Sequence, residues 1–367
     1  MKKFFGLAAL VLAAFTFTLA SCKTSTDDDS TTPPTEQNGD QSAQGGDNQN
    51  GQDAITFTTI NLSTITGDEY TARHGEALTG TLGENVKISI AHGATVTLKD
   101  MSINAGSAWT SGDYAGITCE GDATIVLSGT NTVKSIGDGY PGIYVPAGKT
   151  LTIQGEGSLA VSPRINNAGG NNLVSGSGIG GGYGIPCGNI VIEGGTINAI
   201  GGNSFAGIGG GKNAACGNIT ISGGNVTAQG ADGGAGIGSG QSDSYDSSHP
   251  TPASCGDITI TGGTVSATGG NWAAGIGTGS VSDSYNNNCG TITISGGTVT
   301  ATGGAYAAGI GTGRKPGGVS GTNTCTSITI TGGTVTATKG DQAQSIGAGQ
   351  GGSITGTRNI TVNVTEL

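Results

Sequence analysis

A repeating unit runs through the second half of the chain, and its first copy reads Cys187-Gly188-Asn189-Ile190-Val191-Ile192-Glu193-Gly194-Gly195-Thr196-Ile197-Asn198-Ala199. Each copy contains a piece of the type Ile-Thr-Ile, a glycine pair and a piece of the type Thr-Val-Thr-Ala-Thr, and a short Gly-Ile-Gly then precedes the next copy. Apolar residues alternate with Thr or Ser in these pieces, which is the period-two pattern of strands with one buried face. Later copies begin at Cys216, Cys255, Cys289 and Cys325.

Repetition at this length predicts a solenoid, because one copy can bury its apolar face only by stacking on its neighbours. Short strands, glycine corners and the lack of a helical pattern predict an all-β fold. We expect a parallel β-helix solenoid of roughly eight coils with three strands per coil. Identical residues of successive coils should form columns spaced about 4.8 Å apart, with Ile and Val inside and Thr outside.

Composition and charge narrow the class of partner. The chain has 367 residues, of which 74 are glycine, and its aromatic content of 4% suits a narrow aliphatic core. The net charge of −11 argues against binding to nucleic acid and against adsorption on anionic membrane surfaces. We therefore expect one long repeat domain and no nucleic-acid partner.

Residues 1–22 have the features of an export signal. Lys2 and Lys3 precede an apolar run from Phe4 to Leu19, which is too short for a retained membrane span. The run ends in Leu19-Ala20-Ser21-Cys22, which resembles the lipobox of bacterial lipoproteins and implies lipidation of Cys22. The alternative is a secreted protein in which this cysteine is there by chance.

Residues 23–53 are rich in Gln, Asn, Gly and Ser and contain almost nothing apolar to bury, so they should form a flexible tether. Signal and tether together predict a protein of the bacterial cell envelope, lipid-anchored at the outer membrane or cell surface. The lipid would be its membrane contact.

Residues 54–80 should form the N-terminal cap that the open end of a solenoid needs, and residues 81–367 the repeat domain. Within that domain, the sequence Tyr140-Pro141-Gly142-Ile143-Tyr144-Val145-Pro146, the run Tyr114–Ile125 and the Gly-Ile-Gly-Gly-Gly phrase resemble a family of bacterial carbohydrate-binding domain-containing proteins. The likeness extends from Val86 to Thr338. It implies a right-handed, pectate-lyase-like β-helix that binds polysaccharide, with calcium as a further ligand.

A polysaccharide-degrading enzyme on such a scaffold would need clustered carboxylates, or calcium-binding aspartates beside a basic residue. The acidic residues of the repeats are scattered singly, and the triplet Asp27-Asp28-Asp29 lies in the predicted tether. The histidines His74, His92 and His249 share no repeat position. We therefore predict a protein without catalytic residues. A polysaccharide lyase or glycoside hydrolase remains the alternative, and a structural surface spacer is a third.

The cysteines that open the copies share one repeat position and should form a column. Neighbouring coils bring their Cα atoms within disulfide range, so pairing in an oxidising compartment is one interpretation. Five cysteines cannot all pair, and buried free thiols that pack as small hydrophobes are the interpretation we favour. Cys119 lies at a different offset.

Two successive connecting loops share a phrase and supply the first candidate site. They read Ser242-Asp243-Ser244-Tyr245-Asp246 and Ser282-Asp283-Ser284-Tyr285-Asn286. If adjacent coils set these loops side by side, the tyrosines would stack on sugar rings and the Asp and Asn oxygens would bind hydroxyls or calcium. The alternative is a duplicated, well-solvated loop. The candidate ligand-binding residues are Asp243, Tyr245, Asp246, Asp283, Tyr285 and Asn286, with calcium assigned to Asp243 and Asp283.

A second candidate site consists of aromatic residues at one corner of the repeat. Trp272 and Tyr306 both lie three residues before a Gly-Ile-Gly, and Phe205 is slightly displaced from the same position. Aromatic rings stacked at a corner are typical of a sugar-binding platform or of a lid on the edge of the core. From the anchor, the tether and the repeats we predict a cell-surface lipoprotein that binds polysaccharide or acts as an adhesin.

Overall fold

The computed structural model describes residues 58–82, 86–104, 114–166, 173–174, 176–244 and 251–367. Residues 1–57, which include the predicted signal, Cys22 and the tether, lie outside the described residues. The described part of the chain is built of β-strands and one short 3-10 helix, Leu62–Thr64. In this part there is no helix whose length and apolar character would let it span a membrane.

The larger sheet contributes the first two sides of each coil. Among the described residues it has twenty strands: Thr58–Asn61, Glu76–Thr81, Ala94–Ile103, Ala123–Ser128, Thr130–Lys134, Thr150–Gly155, Ser158–Ser162, Asn189–Ile192, Thr196–Asn203, Ala215–Cys216, Ile219–Ile221, Asn225–Ala231, Ser254–Cys255, Ile258–Ile260, Thr264–Thr268, Asn287–Thr302, Asn323–Thr338, Ser353–Ile354, Arg358–Ile360 and Val364–Glu366.

The second sheet contributes the third side of each coil, with one short strand per coil. Its described strands number ten, where the sequence predicted about eight coils. The strands are Glu69–Ala72, Lys87–Ile90, Ile117–Cys119, Ile143–Tyr144, Ile179–Gly180, Ile208–Gly209, Ile237–Gly238, Ile276–Gly277, Ile310–Gly311 and Ile346–Gly347. An antiparallel pair, Ile165–Asn166 and Leu173–Val174, lies outside both sheets.

Strands of the segment predicted as a cap take part in the same stack. Thr58–Asn61 pairs in parallel with Glu76–Thr81, and Glu69–Ala72 pairs in parallel with Lys87–Ile90. These early coils lack the glycine-rich phrase of the later copies.

The stacking of coils confirms the predicted parallel β-helix. Ile292 pairs in parallel with Ile258 on one side and with Ile328 on the other. The second strands stack in the same way, with Val299 between Val265 and Val335. Equivalent residues therefore form the predicted columns, because each coil takes its backbone hydrogen bonds from its neighbours.

Alternation along each strand separates the core from the surface. In the strand Asn287–Thr302, Val299 and Ala301 are buried, while Thr298 and Thr300 are exposed. The core so formed is a continuous narrow stack of Ile, Val, Leu and Ala. It needs few aromatic rings, because each coil encloses a small cross-section.

Glycine is required where coils approach most closely. Gly263, in the corner between the first two strands, has a φ of +79°, and a Cβ built there would lie 2.7 Å from the carbonyl oxygen of Gly224. Gly277, in the third strand, has a φ of +133°, and its Cβ would lie 1.9 Å from the oxygen of Gly311. Both positions combine a backbone conformation that favours glycine with the lack of space for a side chain.

Polar side chains satisfy the backbone at a corner before the first strand. The Oδ1 of Asn189 accepts a hydrogen bond from the N–H of Asn218 at 2.9 Å, and the Oδ1 of Asn218 accepts one from the N–H of Asp257 at 2.9 Å. Asp257 continues the series by accepting from the N–H of Thr291 at 2.7 Å. These residues therefore stabilise the stack from coil to coil.

Candidate functional site

The two loops that share the Ser-Asp-Ser-Tyr phrase lie on neighbouring coils, but not in the register that the phrase suggests. Ser242 forms a parallel bridge with Val281, whereas the phrase would pair it with Ser282. The loops are therefore offset by one residue. Because side chains along an extended chain alternate in direction, an offset of one places equivalent residues in different environments.

Asp243 is buried, with 8% of its surface exposed. Its Oδ2 lies 2.8 Å from the Nζ of Lys212, and its Oδ1 accepts a hydrogen bond from the side-chain amide of Asn213 at 3.3 Å. The N–H of Asp243 in turn donates to the Oδ1 of Asn213 at 2.9 Å. Both carboxylate oxygens are thus engaged by protein groups, so this residue acts as a structural link between coils.

The equivalent residues of the second loop have different environments. Asp283 and Asn286 are exposed, and Tyr285 is partly buried. The Oδ1 of Asn286 accepts hydrogen bonds from both the N–H and the hydroxyl of Thr322, each at 2.9 Å. Asp283 is therefore the accessible carboxylate of the predicted calcium pair, and the structure does not place Asp243 beside it as a second open ligand.

Two members of the predicted set, Tyr245 and Asp246, lie outside the described residues. Among the residues that the structure describes, no group of three or more His, Cys, Asp or Glu side chains is arranged to hold a metal ion. The proposed stacking of Tyr245 on sugars beside Tyr285 stays a prediction.

The second candidate site is an exposed cluster on three successive coils. Trp272 and Tyr306 lie at equivalent positions, four residues before the central isoleucine of the third strand, and Gln342 follows on the next coil. Trp272 is 39% exposed, and Tyr306 is partly buried. We call the residues Trp272, Tyr306, Arg314, Gln342 and Gln350 the edge cluster.

Arg314 connects the two aromatic rings. Its Cζ lies 5.9 Å from the ring centroid of Trp272 and 5.1 Å from that of Tyr306, so its guanidinium makes a cation–π contact with both. Its Nε donates to the Oε1 of Gln350 at 2.9 Å, and the Nε2 of Gln350 donates to the Oε1 of Gln342 at 2.8 Å. Within the described residues no carboxylate lies within 4.0 Å of Arg314.

The aromatic residues have an unusual backbone conformation. Trp272 has a φ of +70° and Tyr306 a φ of +65°, which are rare values for bulky side chains. In the copy that precedes Trp272, the same position is occupied by Gly233, with a φ of +87°. Each main-chain oxygen accepts a hydrogen bond from the next coil: Trp272 from the N–H of Arg314 at 2.7 Å, and Tyr306 from that of Gln350 at 2.8 Å. Ser204 and Gln342 have positive φ values of +74° and +55° at the same repeat position, so this conformation belongs to the corner of every copy.

Phe205 does not belong to this surface. It lies one residue further along than Trp272 in its own copy and is 2% exposed. The one-residue displacement turns its ring into the core, where the equivalent residues Ala273 and Ala307 are also buried. The displacement of Phe205 seen in the sequence therefore separates it from the exposed aromatic residues.

The same edge continues toward the N-terminus with other side chains. Ser204, at the position of Trp272, donates from its hydroxyl to the Oε1 of Gln241 at 2.6 Å. Lys212, at the position of Arg314, lies 5.4 Å from the ring centroid of Tyr183 and also contacts Asp243. The edge thus carries amides, hydroxyls, cations and aromatic rings over several coils.

Arg314 and Gln350 were missed by the sequence analysis, although a signal was available. Both lie four residues after the central isoleucine of the third strand, as do Lys212, Gln241 and Ser280. The position lies 25 residues after the cysteine in every copy, but its residue type changes from copy to copy, so it does not stand out as a repeated residue.

A shallow depression elsewhere on the surface has a volume of about 600 Å³ and is lined by Val126–Thr130 and Gly155–Ser158. Among these described residues, Glu156 is the ionisable one, and none is aromatic. The edge cluster therefore offers the richer chemistry for a ligand with apolar faces and many hydroxyls.

A family model described as beta helix repeat matches residues 190–212, 219–241, 258–280, 292–314 and 328–355. Each of the first four matches begins in the first strand of a copy and ends at the fourth residue after the central isoleucine of the third strand. These matches agree with the stacked coils, and the chain is a parallel β-helix protein. Nothing matches significantly among curated proteins or among solved structures.

Proposed function

We propose that this protein binds polysaccharide without cleaving it, and that the edge cluster is the binding surface. The observation that carries the proposal is the pair of aromatic residues on successive coils, Trp272 and Tyr306, whose rings both contact Arg314. The β-helix repeat is compatible with both polysaccharide-binding and polysaccharide-degrading proteins.

The arrangement suits an extended sugar chain. The rings of Trp272 and Tyr306 come from successive coils, which stack about 4.8 Å apart, so a glycan running along the solenoid would meet both. Aromatic faces pack against the apolar faces of sugar rings, and the remaining N–H groups of Arg314 and the amides of Gln342 and Gln350 are donors for hydroxyl oxygens. Burial of Trp272 under a ligand would also contribute hydrophobic stabilisation.

The exposed carboxylate of Asp283, on the neighbouring loop, extends this proposal toward a bound cation. Asp283 lies in the connection between the third strand that follows Trp272 and the first strand of the next coil. Calcium is proposed as a ligand of Asp283, since carboxylate oxygen is its preferred donor. Chelator sensitivity of glycan binding tests this, with magnesium added back as the control.

We further propose that Cys22 is lipidated and holds the domain at the bacterial cell surface. This rests on the sequence of the first 22 residues and on the tether composition. Replacement of Cys22 by alanine should release the protein from the membrane fraction, whereas replacement of Ser21 by alanine should leave it there. Equal membrane association of both variants would contradict the lipid anchor.

A glycan array probed with the purified protein, run beside a reducing-sugar assay on the same glycans, tests the function. Binding without new reducing ends supports the proposal. New reducing ends without ultraviolet absorption would favour a glycoside hydrolase, and new reducing ends together with unsaturated products that absorb in the ultraviolet would favour a lyase. The absence of both binding and products in these assays would favour a structural spacer.

A further inference from the structure

The cysteine column contains an array of sulfur atoms that the proposed function does not use. Cys216 pairs in parallel with Cys255, Cys255 with Cys289, and Cys289 with Cys325. Cys187 precedes them, and its N–H donates to the oxygen of Ala215 at 2.8 Å, next to Cys216. All these cysteines are buried, with at most 7% of their surface exposed.

One disulfide occupies the first step of the array. Cys187 and Cys216 are bonded, with their Cα atoms 4.5 Å apart, while Cys255, Cys289 and Cys325 are free thiols. Cys289 lies between Cys255 and Cys325 in this column, and the thiol of Cys325 donates to the main-chain oxygen of Gly311 at 3.3 Å. Successive cysteines of the column lie on successive coils. Cys255 is therefore the neighbour of Cys216 on one side, as Cys187 is on the other.

We propose that the disulfide migrates along this column by thiol–disulfide exchange. In the first step the thiolate of Cys255 attacks the sulfur of Cys216, the Cys216–Cys255 bond forms, and the Cys187–Cys216 bond breaks. Cys187 leaves as a thiolate and takes up the proton that Cys255 gave up. The number of disulfides and free thiols is unchanged, so no oxidant or reductant is needed.

The column has defined ends. Beyond Cys325 the next coil has Ile354 at the equivalent place, and on the other side Cys187 bridges to Pro146. Cys119 lies in the third strand of its coil, paired with Ile90, and is therefore outside the array. Four neighbouring pairs are thus available to one disulfide among the described cysteines.

These pairs should be similar in stability. Cys187 and Cys216 are 29 residues apart in sequence, and the later cysteines follow at comparable intervals. The stabilisation that a disulfide gives by closing a loop varies only with the logarithm of the number of residues in that loop, so these differences in length change it little. The packing around each pair repeats as well, because the same strands stack in the same register.

Burial makes the exchange slow and keeps it within the chain. The hydrogen bond with Cys289, burial and the nearby carboxylate of Asp257 raise the pKa of Cys255. For Cys289 the hydrogen bond from Cys255 lowers the pKa, but the contact with Cys325, burial and Asp257 outweigh it. The reactive thiolate is therefore scarce at neutral pH, and migration should accelerate about tenfold per pH unit until the thiol pKa is reached.

Disulfide mapping of the full chain tests the proposal. The oxidised protein is held without added thiol or oxidant, quenched with acid at intervals, alkylated in denaturant and digested. Cleavage at Lys212, Asp232, Asp257 and Arg314 separates the cysteines of the column into different peptides. We expect peptides linked through Cys216 and Cys255 to appear beside the first pair, with a constant thiol count and faster appearance at higher pH.

Two variants supply the controls. Cys255→Ala interrupts the column and should fix the disulfide at the first pair, while Cys119→Ala, outside the array, should leave the distribution as in the parent. If Cys255→Ala does not fold, Cys325→Ala replaces it and should remove the last pair alone. Linkage of Cys187 to Cys216 alone at every time and pH, a fully reduced chain, or disulfides between chains would overturn the proposal.

Discussion

Replacement of Gly277 by alanine should strongly destabilise the stack, as should replacement of the equivalent Gly238 or Gly311. Its φ of +133° is a conformation that side chains rarely adopt, and the added methyl group would lie 1.9 Å from the oxygen of Gly311 on the next coil. The backbone strain costs about 1–3 kcal/mol and the overpacking about as much again. We therefore expect the free energy of unfolding to fall by about 2–6 kcal/mol.

Other glycines separate these two contributions. Gly318 has a φ of +84° but nothing within 4 Å of its built Cβ, so Gly318→Ala should show the strain alone, about 1–2 kcal/mol. Gly317 has open space and no left-handed φ, so Gly317→Ala should leave the stability unchanged or raise it by up to about 1 kcal/mol.

The assay is urea unfolding followed by far-ultraviolet circular dichroism, with the parent and all three variants measured under the same conditions. The order of midpoints should be Gly317→Ala highest, then Gly318→Ala, then Gly277→Ala. If Gly277→Ala unfolded at the same urea concentration as Gly317→Ala, the close approach of third strands described above would be wrong.

Further predictions concern the core and its polar contacts. Ile292→Ala, in the buried column, should lower the free energy of unfolding by about 2–5 kcal/mol. Ile200→Ala, at a position 40% exposed, should lower it much less. Equal losses of stability in urea unfolding would contradict the core assignment. Burial raises the pKa of Cys119 from 9.0 to about 12, so its unfolded thiol ionises first and stability should fall by about 4 kcal/mol as pH rises through that range. Cys119→Ala should reduce this alkaline loss, and an unchanged pH profile would count against it. Asn323→Ala removes the acceptor that the hydroxyl of Thr278 uses at 2.6 Å and should cost about 1–3 kcal/mol, measured by thermal unfolding against the parent; an unchanged midpoint would contradict this role.

The stacking of coils was predictable because identical residues at a fixed interval can satisfy the backbone and the core in one way. The columns through Ile292 and Val299 follow directly from the alternation within each copy. The number of strands was less predictable, since the coils before residue 177 lack the repeated glycine phrase. In those coils the pairing with strands of adjacent coils, and not the local sequence pattern, determines where each strand begins and ends.

The candidate site was predictable only in part. Trp272 and Tyr306 were found because they precede a recognisable phrase, but Arg314 reaches them from a loop whose length varies between copies. Asp243 and Asp283 have the same neighbours in sequence, yet a one-residue offset buries the first and exposes the second. Likewise, nothing in the sequence distinguishes Cys187 and Cys216 as the bonded pair among equivalent cysteines.

The most direct test of the proposed function is a calorimetric titration of the double variant Trp272→Ala/Tyr306→Ala with an oligosaccharide that the parent binds. Loss of two aromatic contacts should weaken binding by about 1–3 kcal/mol, or about 5- to 150-fold in Kd. Tyr285→Ala serves as the control on the neighbouring loop and should bind nearly as the parent does. Full affinity in the double variant, with loss of affinity in Tyr285→Ala, would contradict the edge cluster and place the site on the Ser-Asp-Ser-Tyr loops.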